Sequence, residues 1–72
     1  MTGYNTESLE KITHVKMPFG KYRGIKLINL PESYVIWLYM NRLPDGELGV
    51  LLSELYEIKV NGLESLVKSM SL

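Results

Sequence analysis

Ile12-Thr-His-Val-Lys-Met-Pro-Phe-Gly-Lys-Tyr-Arg-Gly-Ile-Lys-Leu-Ile28 decides the fold class of this 72-residue chain. Its opening residues, Ile12 to Met17, are rich in β-formers, with Thr13 and Val15 suited to a strand. Ile25 to Ile28 is a second short apolar run, and Pro18, Gly20 and Gly24 punctuate the interval. Two short strands with a tight connection predict a β-hairpin whose turn lies near Lys21–Gly24. Alternation puts Thr13, Val15 and Met17 on one face, with His14, Lys16 and Pro18 on the other. An isolated hairpin is marginal in water, so helices must cover one of its faces.

The residues that follow supply those helices. Pro31 suits the first turn of a helix, where its missing N–H is harmless. Tyr34, Val35, Trp37, Leu38 and Met40 then mark an amphipathic segment ending near Asn41 or Arg42. Leu43-Pro44-Asp45-Gly46 is a turn, with Asp45 as N-cap of the next helix. That helix runs from Glu47 to Val60, because Leu48, Leu51, Leu52, Leu55 and Ile58 recur on one broad face. Asn61-Gly62 closes it, and Leu63 to Met70 forms a last short helix carrying Leu63, Leu66, Val67 and Met70. Residues 1–11 are polar and weakly periodic, and read as a flexible N-terminal tail or a single helical turn. The expected architecture is α+β: a tail over 1–11, then a single small domain over 12–72 with a short hairpin packed on about three helices.

A chain this short buries only about 60% of its unfolded surface, so its core must be used fully. There is no cysteine, which removes disulfides and thiolate metal sites and fits a reducing, cytoplasmic setting. The aliphatics, with Phe19, Tyr22, Tyr34, Trp37, Tyr39 and Tyr56, must build the interior, with Met17, Met40 and Met70 as gap-fillers. Trp37 and Tyr34 share a helix face and are expected in the core. No apolar run approaches the length of a membrane span, and no secretory leader is apparent, so no membrane partner is expected.

Formal net charge is zero, yet its distribution is uneven. Residues 1–10 carry Glu7 and Glu10; residues 11–31 carry Lys11, Lys16, Lys21, Arg23 and Lys26 with no acid; residues 32–72 hold six acids against Arg42, Lys59 and Lys68. A structural hairpin explains Phe19, Gly20 and Gly24, as a core plug and two positions free to take positive φ. It leaves Lys16, Lys21, Arg23 and Lys26 unexplained, since like charges at close range repel. Cations interleaved with Tyr22 on a glycine-bearing turn suit a phosphate backbone, with glycine allowing close approach and tyrosine stacking or bonding. Nucleic acid is therefore the first-ranked partner, and a protein partner or homodimer through the Leu48–Ile58 and Leu63–Met70 face the second.

Catalysis has little to stand on. The lone histidine, His14, has no nucleophile at a catalytic spacing, and Glu47, Glu54, Glu57 and Glu64 fall on polar helix sides. No Asp, Glu or His cluster has ligand spacing, so neither a metal nor a cofactor is expected. Phe19-Gly-Lys-Tyr-Arg-Gly24 is not a P-loop, whose glycines are spaced more widely and open a helix.

Lys16-Met-Pro-Phe-Gly-Lys-Tyr-Arg-Gly24, Leu30-Pro-Glu-Ser-Tyr34 with Trp37, Gly46-Glu-Leu-Gly49 and Tyr56-Glu-Ile-Lys-Val-Asn-Gly-Leu-Glu64 together resemble a family of small bacterial proteins labelled putative quorum-sensing-regulated virulence factor. The resemblance covers roughly residues 14–68, and the label describes regulation rather than biochemistry. The Phe-Gly-Lys-Tyr-Arg-Gly core and the later Pro, Tyr, Trp pattern also resemble the small C-terminal domain of exodeoxyribonuclease X-like proteins. That likeness implies a non-catalytic module associated with nucleic-acid handling, because the nuclease domain itself has no counterpart in these residues.

Overall fold

The computed structural model describes residues 6–69, which form four helices: α1 (Thr6–His14), α2 (Glu32–Asn41), α3 (Gly46–Val60) and α4 (Glu64–Ser69). A 3-10 turn, Leu27–Asn29, precedes α2. Among the described residues there is no strand or sheet, so the domain is all-helical and the expected α+β hairpin architecture is overturned. The only strand-like pairing among these residues is a lone antiparallel bridge between Lys16 and Lys26.

Both expected strands fail because burial overrides local β-preference. In α1, Glu7 lies in the first turn and Lys11 and His14 in the last, matching the helix dipole. Glu7 and Lys11 also pair at i,i+4, 3.8 Å apart. Leu9 and Ile12, three residues apart, face the core, and Ile12 is completely buried. The β-formers Ile12 and Thr13 thus become the inner face of a helix end. Residues 6–11, expected as tail, belong to this helix; residues 1–5 lie outside the described residues. At the second expected strand, Leu27 and Ile28 turn inward and are buried, and Leu30 must be extended because Pro31 follows it.

α3 runs through the centre. Leu51, Leu52, Leu55 and Ile58 are all buried, against Ile12 of α1, Leu27 and Leu30 before α2, Val35 and Leu38 of α2, and Val67 of α4. The helix starts after Asp45, which caps by position without a side-chain hydrogen bond. It ends in a Schellman arrangement: Gly62 takes φ +70°, and the Leu63 and Gly62 amides donate to the Ile58 and Lys59 carbonyls at 2.9 and 3.2 Å. Because the Leu51–Ile58 face is consumed by the core, it is not available to dock a partner.

Burial departs from the sequence reading at four large side chains. Trp37, expected at the centre, is 48% exposed, and Phe19, expected as a core plug, is 45% exposed. Met40 and Leu66 are exposed as well, whereas Met17 is buried and fills the core beneath the loop. Met70 lies outside the described residues. For Trp37 and Met40 the cause is α2 itself: its sequence, Glu-Ser-Tyr-Val-Ile-Trp-Leu-Tyr-Met-Asn, is apolar on nearly every side, yet only Val35 and Leu38 are buried.

Candidate functional site: a basic loop against an aromatic helix face

Between α1 and the 3-10 turn, residues 15–26 leave the helical body as a loop. Its neck is closed by backbone hydrogen bonds: Leu27 N–H to the Val15 carbonyl (2.9 Å), Met17 N–H to the Ile25 carbonyl and Gly24 N–H to the Met17 carbonyl (both 2.8 Å). The buried Met17 side chain anchors this neck to the core. In this register Lys16 and Lys26 form a non-hydrogen-bonded antiparallel pair, the closest arrangement of facing residues, with Cα atoms typically about 4.5 Å apart. Their side chains leave the same face and both residues are exposed. Like charges placed opposite each other disfavour the pairing, and among the described residues no acid forms an ion pair with either lysine.

The tip is a turn over Lys21–Gly24, with Gly20 and Gly24 at φ +80° and +90°. Tyr22 turns inward, its ring 4.6 Å from that of Tyr34 on α2, and the Lys21 ammonium lies 5.5 Å from the Tyr22 ring centre. Arg23 is exposed. Tyr34 in turn lies nearly parallel to Trp37, at 16° and 6.5 Å between centroids. An aromatic series therefore runs from the loop tip onto α2 and ends on the half-exposed indole. A Cβ at Gly20 would come within 3.3 Å of the Tyr34 hydroxyl, so the loop backbone passes close by that ring.

Of the expected site residues, the structure brings Lys16 and Lys26 together at the neck and holds Lys21, Tyr22 and Arg23 at the tip. Of the five cations in the acid-free stretch, Lys11 alone forms an ion pair among the described residues, with Glu7 and Glu47. Lys26 also borders a shallow cleft of about 230 Å³ with Thr13, Ile28, Asn29 and Lys68, the last of which is paired with Glu64 at 3.3 Å. Lys68 was not singled out in the sequence, since it lies far along the chain among acids. Trp37 was assigned to the core, although the all-round apolar composition of α2 signals that some large side chain there must stay outside.

Lys59 and Glu64 pair within the fold. Lys59, only 7% exposed, donates to the Ile28 carbonyl at 3.1 Å and to Glu64 Oε1 at 2.9 Å. Hydrogen bonding to Lys59 holds the Glu64 carboxyl below the usual glutamate range. Glu54, expected on a solvated stripe, is half-buried; burial raises its pKa, and Oε1 has no hydrogen-bond partner among the described residues. Among the described residues no three His, Asp or Glu side chains gather to hold a metal ion, and no helix is long and apolar enough to cross a membrane.

Residues 5–70 match the model of a family described as putative quorum-sensing-regulated virulence factor, and the chain belongs to that family. Two relatives, from Escherichia coli strain K12 and from Escherichia coli O157:H7, are each called uncharacterized protein YpeB. Each is 44% identical to this chain over 63 residues, covering 86% of this chain and 88% of the relative. No solved structure gives a significant match.

Proposed function

We propose that this family member is a small non-catalytic binding domain whose Lys16–Lys26 loop contacts the phosphate backbone of nucleic acid. The observation that carries the reading is the juxtaposition of Lys16 and Lys26 across the neck, neither of them ion-paired with an acid among the described residues. A fold that needed only solubility gains nothing from two facing ammonium groups, whereas a phosphate placed between them offsets their repulsion. Lys21 and Arg23 at the tip extend the same charge. The likeness of Phe19–Gly24 to the C-terminal domain of exodeoxyribonuclease X-like proteins supports the same assignment.

Fluorescence anisotropy with labelled oligonucleotides tests it. Three or four phosphate contacts give a log–log salt slope of about −2 to −4. Replacing Lys16, Lys21, Arg23 and Lys26 together by alanine should abolish binding. Absence of binding at tens of micromolar protein in low salt, or full binding by the quadruple variant, overturns the assignment.

A second reading, a protein partner or homodimer, is favoured by one observation: Trp37, Met40 and Leu43 of the α2 region are all exposed. It moves the expected docking face from α3 to α2. Light scattering that gives a monomer at every concentration removes the homodimer.

A further inference from the structure

We infer that the nucleic acid bound by the loop is single-stranded, with the indole of Trp37 as the platform on which one of its bases stacks. The inference rests on the backbone-binding reading and adds the class of ligand.

Its basis is the position and exposure of the aromatic series. Tyr22 is fixed in the basic tip, Tyr34 packs against it, and Trp37 lies nearly parallel to Tyr34 while remaining 48% exposed. The indole thus lies parallel to a ring that itself packs against the basic tip. Phe19, also exposed, precedes the glycine that lies against the Tyr34 hydroxyl. In duplex nucleic acid the base faces are already covered by their neighbours, and a platform of this kind has nothing to stack on. In a single strand the base faces are free, and cations beside exposed rings serve backbone and base together. Charge complementarity sets the occupant apart from an apolar protein segment, because the aromatic series begins at a tip whose Lys21 and Arg23 form no ion pair among the described residues.

Trp37 is the chain's one tryptophan, so its fluorescence reports on the platform alone. The whole protein is titrated at low salt with an oligothymidylate single strand and, separately, with a duplex hairpin of equal length. The expected result is quenching of Trp37 by the single strand, and weaker binding with little quenching by the duplex. Trp37→Ala should weaken single-strand binding roughly 5- to 150-fold, with the salt slope unchanged because the phosphate contacts remain. Trp37→Phe should recover part of the loss, and circular dichroism of both variants verifies the fold. Equal or tighter binding of the duplex, or single-strand binding without quenching and undiminished in Trp37→Ala, overturns the platform while leaving the backbone contacts in place. Binding of neither oligonucleotide removes both readings together.

Discussion

At position 49 only a hydrogen atom fits. A Cβ there would lie 1.9 Å from the Pro44 carbonyl oxygen and 3.0 Å from its carbon, and neither is a flexible side-chain end that could move aside. Gly49→Ala must push the start of α3 away from the preceding turn, with an expected loss of about 1–3 kcal/mol in urea unfolding. The opposite sign is expected at Glu54, whose pKa is raised by burial, with the Ser8 hydroxyl opposing and Glu57 adding to the rise. An acid with a folded pKa above its unfolded one disfavours folding at neutral pH, and that penalty fades as pH falls through the folded value. Glu54→Gln should therefore be more stable than the parent at pH 7, and the two should converge in acid. Gly46-Glu-Leu-Gly49 stands out in the sequence, but the reason for its second glycine does not, because the clash involves a backbone brought back by the turn.

The elements differ in how much of them could be read in advance. α3 was legible because Leu48, Leu51, Leu52, Leu55 and Ile58 repeat at helical spacing and Asn61-Gly62 ends them. α1 was not, because its last residues are β-formers whose conformation is decided by the burial of Ile12, a tertiary event. The attachment of α4 gives a pH prediction. Glu64 is held ionised chiefly by its hydrogen bond from Lys59, so its contribution is present above the ordinary glutamate range and is lost as pH falls through the depressed pKa. Glu64→Gln should cost about 1–2 kcal/mol, less than for a fully buried pair because its carboxylate remains partly hydrated. Lys59→Met leaves the Ile28 carbonyl without its donor and Glu64 without its main partner, and should cost more than Glu64→Gln, as read by thermal unfolding. At the loop neck, Lys26→Glu places a carboxylate opposite Lys16. It should stabilise the fold by about 0.2–1 kcal/mol while weakening oligonucleotide binding, a split that a purely structural role for Lys26 does not produce.

At the scale of the whole molecule, charge and fold separate cleanly. Lys16, Lys21, Arg23 and Lys26 are all exposed and contribute nothing to the core, so replacing them by alanine takes the net charge from zero to −4 (0 − 4) with little change in Tm. Saturating oligonucleotide should then raise the Tm of the parent and not of the quadruple variant, since a ligand at about 100 times its Kd adds about 2.7 kcal/mol to the folded state. The acid-free stretch was visible in the sequence; that only Lys11 within it finds an ion-pair partner among the described residues was not, because Glu47 reaches it from a different helix. Trp37 was misplaced because helical spacing gives the side on which a residue lies, not whether a neighbour exists to cover that side. Gly20 and Gly24 bracket the tip at positive φ, and the two residues there that face water, Lys21 and Arg23, lie outside the core. The tip is thus an interchangeable cassette on a constant frame: selection, or a designer, can rewrite those two positions and the charge they present without renegotiating how the helices fold.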